Sequence, residues 1–267
     1  MTVLVNEVSR EVAQGTTLFQ LRRKMAPEAD IMILNSAPAE GDTLLKEGDR
    51  VVFIQRGRTY EARELNALLA ARHSPGVHEK VSRAVVGIAG LGGLGSAAAV
   101  ALARLGVGTL ILADFDVVEP SNINRQHYDL THIGRLKTLA MKEIIAHIHP
   151  GVRVRLHNIR LTRENIPRIF GGVPVIIEAL DKASEKEMLI GTVLKELKES
   201  YVISGSGMAG YGPSDEIETI HLGKLVICGD QSSEAGEGTG LMAPRVGICA
   251  HHQANAALRL ILGMDQA

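Results

Sequence analysis

Short apolar runs alternate with stretches of helical spacing along most of this chain, from residue 85 onward. The apolar runs predict buried strands at Val85–Ala89, Leu110–Ala113, Val152–Leu156, Val173–Leu180 and Tyr201–Ser204. Helices are predicted near Ser96–Ala103, Leu136–Ile148, Arg163–Phe170, Glu185–Leu197 and from Pro244 to Gly263. This alternation is typical of an α/β fold in which helices cover both faces of a mainly parallel sheet. We assign this pattern to one domain, residues 81–267.

Residues 1–57 have a different pattern, in which short apolar runs surround a single helix. Strands are predicted at Val3–Val5, Arg10–Val12, Ile31–Leu34 and Val51–Ile54. The helix is predicted at Leu18–Arg23, with a cap supplied by Gly15–Thr17. The element order, ββαββ, describes a small domain of its own. Residues 58–80 are predicted to form a helical linker, because leucines recur there at helical spacing.

A glycine-rich loop follows the first strand of the larger domain. It reads Gly90-Leu91-Gly92-Gly93-Leu94-Gly95 and runs directly into an alanine-rich helix. A strand, a glycine turn and a helix start bring together unpaired backbone N–H groups and the positive end of a helix dipole, which attract phosphate. The next strand ends in Asp114, near the offset where dinucleotide folds carry a ribose-binding acid. The sequence therefore predicts a Rossmann-like nucleotide-binding domain.

Polar residues beyond that strand indicate phosphate chemistry. The segment after Asp114 carries Asn122 and Arg125, and Lys137 follows in the next helix. Arginine holds phosphate oxygens bidentately and lysine adds a mobile charge, so both stabilise negative charge that spreads over oxygen during attack at phosphorus. Asp181 lies at the carboxyl end of a predicted strand, where an open α/β sheet presents ligand groups. A carboxylate there suits Mg²⁺, which prefers one or two carboxylates plus phosphate oxygens.

Asp181 also precedes a helix, and aspartate is a favoured helix cap. Ser184 is followed three residues later by Glu187, which is the pattern of a capping box. We therefore assign the cap to Ser184 and the metal to Asp181.

Composition and charge exclude several classes of protein. The chain has 267 residues and a net charge of −1 at pH 7, which disfavours a basic surface for nucleic acid. The N-terminal apolar run is too short for a signal peptide or a membrane span. The only cysteines, Cys228 and Cys249, give no disulfide framework, so a cytoplasmic location is expected. Cys228 is expected to pack as a small buried side chain, with a role in sulfur chemistry as the alternative.

The larger domain contains the motifs Gly-x-Gly-Gly-Leu-Gly-Ser, Asp-x-Asp-x-Val-x-x-Ser-Asn-x-Asn-Arg-Gln and a downstream Gly-x-x-Lys, followed by Asp181 at a strand end. Over residues 72–262 they resemble the ubiquitin-activating-enzyme-like adenylyltransferases of the ThiF/MoeB branch. Residues 1–57 are similar to the β-grasp sulfur carrier ThiS, in Ile33-Leu34-Asn35-Ser36 and in Leu45-Lys46-Glu47-Gly48-Asp49-Arg50-Val51. The whole chain resembles the ThiF subtype that carries an N-terminal ThiS-like domain.

The resemblance implies a reaction and a set of roles. The C-terminal glycine carboxylate of a small carrier protein ending in Gly-Gly attacks the α-phosphate of ATP, giving an acyl-adenylate and pyrophosphate. The nucleotide is bound by the glycine loop, Gly90, Gly92, Gly93 and Gly95, while Asp114 binds the ribose. The phosphates are held by Asn122, Arg125 and Lys137, and Asp181 ligates Mg²⁺. The resemblance also implies thiamine thiazole biosynthesis, with a sulfur donor and a thiazole synthase as further partners.

Several features depart from that family pattern. Its members bind zinc through Cys-x-x-Cys pairs, which this sequence lacks, so no structural zinc is expected. Some members transfer the carrier to a cysteine ahead of the last helix, but residues 234–240 contain none. An arginine from the neighbouring subunit of a homodimer completes the family's site, and Arg72 is the candidate here. The ThiS-like domain continues past Gly57 instead of ending in a free Gly-Gly, so it is not expected to be the substrate.

Two other functions remain open from the residues alone. A glycine loop followed by an acid is also the mark of an NAD-dependent oxidoreductase. A non-catalytic module that binds ATP and docks a partner through its β-grasp domain would carry the same motifs.

Overall fold

The computed structural model describes residues 1–60 and 62–264. The chain divides into two compact units, Met1–Glu79 and a second unit that begins at Lys80. Each unit contains a sheet of its own. Glu61 of the predicted linker and residues 265–267 of the predicted larger domain lie outside the described residues.

The first unit is built on a five-stranded sheet with the strand order β2-β1-β5-β3-β4. Strands β1 and β5 are parallel, and the other neighbours are antiparallel. This arrangement confirms the predicted β-grasp fold. Its elements are β1 (Thr2–Val5), β2 (Val8–Glu11), α1 (Leu18–Met25), β3 (Ile31–Leu34), β4 (Ala37–Pro38), β5 (Arg50–Ile54) and α2 (Ala62–Leu69).

Helix α1 packs on one face of this sheet. It begins where predicted, because Thr17 and Gln20 form a reciprocal capping box with hydrogen bonds of 3.3 and 3.1 Å. Leu18 and Leu21 of α1 are buried against Val51 and the other apolar side chains of β1 and β5. These contacts form the core of the first unit.

The other face of the sheet is covered by the segment that follows β5. Successive side chains of a strand point to opposite faces, so Val52 lies on the face away from α1. Val52 and Ile33 form a second buried cluster with Ala71, and Leu68 of α2 packs against it. Much of the predicted linker therefore belongs to the first unit.

The second unit is a seven-stranded, Rossmann-like sheet in the order β11-β12-β10-β9-β6-β7-β8. All neighbours are parallel except the β11–β12 pair, which confirms the predicted mainly parallel α/β sheet. After the short helix α3 (Val77–Val81) come β6 (Val85–Ala89), α4 (Gly93–Arg104), β7 (Thr109–Ala113), α5 (Lys137–Ile148), β8 (Arg153–His157), α6 (Ile166–Phe170), β9 (Val175–Glu178), α7 (Ala183–Glu196), β10 (Tyr201–Gly205), β11 (Glu218–Leu222), β12 (Leu225–Gly229) and α8 (Ala243–Leu262).

The aliphatic core of this unit lies between its sheet and its helices. Phe170 and Ile166 of α6 are fully buried, as are Ile176 of β9 and Leu189 of α7, all in one cluster. Within the described residues, no helix combines the length and the apolar character needed to span a membrane. The core holds the carboxyl ends of β6, β7 and β9 at a common edge of the sheet.

The start of α7 differs from the prediction. The helix begins at Ala183 with Lys182 at the N-cap position, and no side chain caps it. Ser184 lies inside the first turn, so the predicted capping box of Ser184 with Glu187 is wrong. The remaining helices of this unit begin within a few residues of their predicted starts.

Candidate functional site

A cleft of about 850 Å³ opens at the carboxyl ends of the central strands of the second unit. Its size falls within the usual range for a small-molecule site, and its position is where open α/β sheets bind ligands. Its walls come from the glycine loop, the segment after β7, the turn after β9, and two loops near α8.

The glycine loop forms one wall, at the N-terminus of α4. Gly90, Gly92 and Gly93 line the cleft. Gly95 does not, because it packs beneath the loop, where a Cβ atom would lie only 1.9 Å from the carbonyl oxygen of Gly90. The start of α4 carries no side-chain cap, which leaves its first N–H groups and the positive end of its dipole available at the cleft wall.

Asp114 connects this loop to the end of β7. Its Oδ2 accepts a hydrogen bond of 2.6 Å from the N–H of Leu91, and its Oδ1 accepts one of 2.7 Å from the N–H of Asp116. Burial raises the pKa of Asp114, while these two bonds and the nearby Lys137 oppose the rise. Each carboxylate oxygen retains a lone pair that can accept a hydroxyl hydrogen.

Asn122 and Arg125 lie on the segment after β7. Asn122 is buried and fixes its own turn by accepting a bond of 3.1 Å from the N–H of Glu119. Arg125 Nη1 donates to the Ser121 carbonyl and to Asn124 Oδ1, each at 3.0 Å. No carboxylate among the described residues pairs with Arg125.

Arg125 also lies beside the glycine loop. The Cγ of Arg125 would be 3.8 Å from a Cβ atom built on Gly93, so the two walls adjoin. Arg125 thus lines the cleft beside the glycine loop, and its Nε and Nη2 have no hydrogen-bond partner among the described residues. This is the geometry that binds a phosphate group.

Lys137 is the first residue of α5 and is almost fully buried, with 7% of its surface exposed. Its Nζ lies 3.1 Å from Asp116 Oδ2, across the cleft-lining segment. The ion pair fixes the ammonium beside Asp114 and leaves two further N–H donors. Asp116 is the second aspartate of the Asp-x-Asp block, but it is not among the predicted site residues.

Asp181 lines the cleft just beyond β9 and is exposed. Among the described residues it has no hydrogen-bond or ion-pair partner, so its carboxylate is available to a cation. The end of β9 adjoins the glycine loop, because a Cβ atom on Gly90 would lie 2.6 Å from the Ala179 carbonyl oxygen. In the described part of the chain, no group of three or more His, Cys, Asp or Glu side chains could hold a metal by itself. One carboxylate completed by phosphate oxygens and water is nevertheless the donor set that suits Mg²⁺.

A buried carboxylate supports this turn from below. Glu178 is fully buried, and its Oε2 accepts bonds of 2.7 Å from Lys186 Nζ and 2.6 Å from Ser204 Oγ. Its Oε1 accepts a bond of 2.7 Å from the N–H of Leu180. Glu178 therefore joins β9, α7 and β10 directly beneath Asp181. In the sequence it appears only as one polar residue in an apolar run.

Gln126 is a further cleft residue outside the predicted set. It is 8% exposed, and its Oε1 has no hydrogen-bond partner among the described residues. An unsatisfied buried amide oxygen at a cleft wall is available to a donor on a ligand.

The remaining predicted residues are not among those that line the cleft. Arg72 is exposed in the first unit, in the turn after α2, and its insertion into a neighbouring subunit stays a prediction. Cys228 and Cys249 are both buried and free, which confirms the expected packing of Cys228. Burial raises the pKa of Cys228 to about 11 and that of Cys249 to about 12. Both are therefore neutral thiols near pH 7.

Two protein-family models match different parts of the chain. The model described as "ThiS-like ubiquitin" matches residues 1–57, and the model described as "ThiF family" matches residues 64–267.

Curated relatives and solved structures match more than half of the chain. The molybdopterin-synthase adenylyltransferase of Salmonella typhimurium is 31% identical over 193 residues, which are 70% of this chain and 77% of that protein. Ubiquitin-like modifier-activating enzyme 5 of Caenorhabditis elegans is 30% identical over 158 residues, 55% of this chain but only 37% of that protein. This chain thus spans little more than a third of the nematode relative.

Among solved structures, the E. coli tRNA N6-threonylcarbamoyladenosine dehydratase TcdA in complex with ATP matches with a TM-score of 0.68 and 22% identity. The match covers 76% of this chain and 96% of that one. At this identity the likeness concerns the fold alone. Because the ThiF model matches more than half of the chain, the protein belongs to the ThiF family, with a ThiS-like ubiquitin domain ahead of its ThiF domain.

Proposed function

We propose that the protein is an ATP-dependent adenylyltransferase that activates the C-terminal glycine carboxylate of a small ubiquitin-like sulfur carrier. The observation that carries this proposal is the meeting of Arg125, Lys137 and Asp181 in the same cleft as the glycine loop and Asp114. A hydride-transferring enzyme needs the loop and the acid, but its reaction develops no charge at phosphorus for two cations to stabilise. The curated relatives named as adenylyltransferases support the same reaction.

The reaction forms one bond at phosphorus and breaks another. A carboxylate oxygen of the carrier's last glycine attacks the α-phosphorus of ATP, and the bond from that phosphorus to the bridging oxygen breaks. The products are a glycyl-adenylate and pyrophosphate, which leaves with the electron pair of the broken bond. Since the nucleophile is already an anion, the reaction requires alignment and charge neutralisation rather than a general base.

Each cleft residue has a role in that reaction. Asp114 accepts hydrogen bonds from the ribose hydroxyls, while the glycine loop and the N-terminus of α4 bind phosphate oxygens. Arg125 and Lys137 stabilise the charge that develops on the transferring and leaving phosphates. The amide of Asn122 donates to the same oxygens.

Asp181 is proposed to hold Mg²⁺ together with phosphate oxygens. A bound Mg²⁺ neutralises the leaving pyrophosphate, which lowers the barrier to its departure. Lys186 and Ser204 keep Glu178 fixed under the turn, so Asp181 is presented from a rigid strand end.

The thiamine thiazole route is the proposed context, because residues 1–57 match a ThiS-like model. We propose that this domain is a structural or partner-binding arm and not the adenylated carrier. The second face of its sheet is already covered by Leu68 and Ala71, and its chain runs on beyond Gly57. A homodimer in which Arg72 enters the partner's cleft also remains proposed.

Pyrophosphate exchange tests the proposal. The full chain is incubated with ATP, labelled pyrophosphate, Mg²⁺ and a purified ThiS-type carrier ending in Gly-Gly, and label is measured in ATP. We expect exchange that requires both Mg²⁺ and the carrier. The matched control is the same carrier without its last glycine, and full exchange with it would refute the proposed nucleophile.

A further inference from the structure

A buried ion pair lies behind the cleft and has no role in the reaction described above. Arg245, near the start of α8, donates from Nη2 to Asp230 Oδ2 at 2.5 Å, and both side chains are 5% exposed. Removing two charges from water is costly unless the pair makes further hydrogen bonds. The partners of each charge therefore indicate what the pair does.

Asp230 forms hydrogen bonds with the first residues of the loop 231–241. Its Oδ1 accepts bonds from the N–H groups of Ser232 at 2.8 Å and Ser233 at 2.7 Å. Its Oδ2 accepts a bond of 2.6 Å from Ser233 Oγ. Although burial raises the pKa of Asp230, these bonds and Arg245 hold it well below its usual range, so the carboxylate stays ionised.

Arg245 holds a second loop, residues 206–213. Its Nη1 donates to the carbonyl oxygen of Pro213 at 2.8 Å. Its Nη2 also lies 3.3 Å from Oε2 of Glu216, an exposed carboxylate just beyond this loop. The same loop sits directly on Asp230: a Cβ atom on Gly207 would lie 2.1 Å from Asp230 Oδ1, and Gly207 has a φ of +79°. The two loops are also joined to each other, because the N–H of Ala209 donates to Ser233 Oγ at 3.0 Å.

These two loops, here called the wall loops (206–213 and 231–241), line the cleft. Met208 and Ala209 contribute from the first, and Ser233, Glu234 and Ala235 from the second. The glycine loop and Asp114, where the proposed function puts the nucleotide, line the same cleft. A second reactant that reaches the α-phosphate must enter this cleft, and the wall loops form part of its lining.

We propose that Asp230 and Arg245 are positioning residues, which fix the wall loops in the shape that receives the C-terminal Gly-Gly segment of the carrier. This inference rests on the proposed function and adds to it the residues that shape the acceptor channel. Neither side chain is among those that line the cleft. Loosening the pair therefore weakens use of the carrier and spares ATP binding, since misplacement of one reactant costs rate without changing the other.

The test uses the full chain and three variants: Asp230→Asn, Arg245→Lys and the double variant Asp230→Asn/Arg245→Met. The double variant guards against misfolding, because removing both charges leaves no unpaired ion in the interior. The control is Glu143→Gln, which breaks a surface ion pair with Arg135 that lies outside the cleft.

Amide hydrogen exchange is measured first, without any ligand. We expect exchange in the wall loops to rise about tenfold or more in the variants, as local opening becomes easier, with β6, β7 and β9 unchanged. Unchanged exchange in the wall loops of every folded variant would overturn the inference.

Kinetic measurements distinguish a specific defect in use of the carrier from a general loss of structure. With the ThiS-type carrier ending in Gly-Gly, kcat/KM for the carrier is expected to fall about tenfold or more, whereas the calorimetric Kd for ATP·Mg²⁺ stays within about twofold. Parallel losses for carrier and ATP, or no loss for the carrier, would contradict the positioning role. Absence of carrier-dependent exchange in the unmodified chain would instead contradict the proposed function.

Discussion

The two units use their polar side chains in opposite ways. In the ThiS-like unit, polar residues of the ThiS-like motifs form hydrogen bonds and ion pairs with one another and with the backbone of that unit. Asn35 Nδ2 donates to Asp49 Oδ1 at 2.9 Å, and Asn35 Oδ1 accepts from the N–H of Arg50 at 2.9 Å. The Arg50 guanidinium is in turn paired with Glu7 at 2.6 Å.

In the ThiF unit the corresponding groups surround an open cleft. Asp181 has no partner among the described residues, and Arg125 has no carboxylate partner there. Lys137 is paired with Asp116 but faces the cleft. Similarity to a carrier therefore concerns the body of the first unit, whereas the second unit presents chemical groups to a ligand.

The largest effect is expected from a substitution in the core of the first unit, which we propose to be a structural or partner-binding arm. Leu18→Ala empties a fully buried site in its core and is expected to destabilise this unit by about 2–5 kcal/mol. Urea unfolding followed by residue-resolved hydrogen exchange measures the loss, and exposed Val8→Ala is the matched control.

The same variant tests where the first unit acts. If it is a separate arm, KM for the carrier and Kd for ATP stay unchanged in Leu18→Ala under conditions where the second unit is folded. A marked fall in KM for the carrier would show that the first unit competes for the docking surface, contrary to our proposal.

Charge removal in the cleft comes next in size. Arg125→Ala and Lys137→Ala are each expected to lower pyrophosphate exchange by about a hundredfold or more, because each removes a donor to transition-state charge. Asp181→Ala is expected to raise the Mg²⁺ concentration needed for half-maximal exchange. The control is Lys142→Ala, an exposed lysine on the same helix as Lys137. Unchanged rates in all three cleft variants would refute the site assignment.

The sequence predicts features that depend on neighbours along the chain. The glycine loop, the cap at Thr17 and the end of α8 before Gly263 follow from local backbone preferences, and the structure has them close to where they were expected. The predicted cap of α7 is wrong because the helix begins at Ala183, so Ser184 is its second residue and not the N-cap.

Pairs that are distant in the sequence could not be predicted in this way. Glu178 meets Ser204 across 26 positions because the strands β9 and β10 pair in parallel. Lys137 meets Asp116 across 21 positions because the segment after β7 folds back against the residue before α5, with a bridge between Val117 and Leu136. Asp230 lies in a glycine-rich stretch whose apolar pattern is weak, and Arg245 lies in the first turn of the predicted last helix, where the sequence does not show its partner. Burial, which decides the role of each of these residues, is set by the tertiary fold.

A smaller effect is expected for the internal ion pair of the first unit. Glu7→Gln removes the partner of Arg50, whose side chain is 14% exposed, and is expected to cost about 0.5–1 kcal/mol. The difference from the unmodified chain in urea should shrink in high salt, since salt screens partly exposed pairs. A loss that does not depend on salt would show that hydrogen bonding, and not charge, carries the contribution.

The cysteines are expected to show no effect. With pKa values of about 11 and about 12, Cys228 and Cys249 hold little thiolate at pH 7, and residues 234–240 contain no cysteine. Intact-protein mass spectrometry after incubation with ATP and the Gly-Gly carrier should show no covalent adduct. An adduct at Cys228 would give that residue a chemical role.

The central claim is that the cleft of the second unit adenylates a separate carrier while the tethered ThiS-like unit does not serve as the substrate. ATP–pyrophosphate exchange by the full chain, measured with and without an added ThiS-type carrier ending in Gly-Gly, tests it most directly. The account predicts exchange only when the carrier and Mg²⁺ are both present. Equal exchange by the chain alone, or none under any of these conditions, would contradict it.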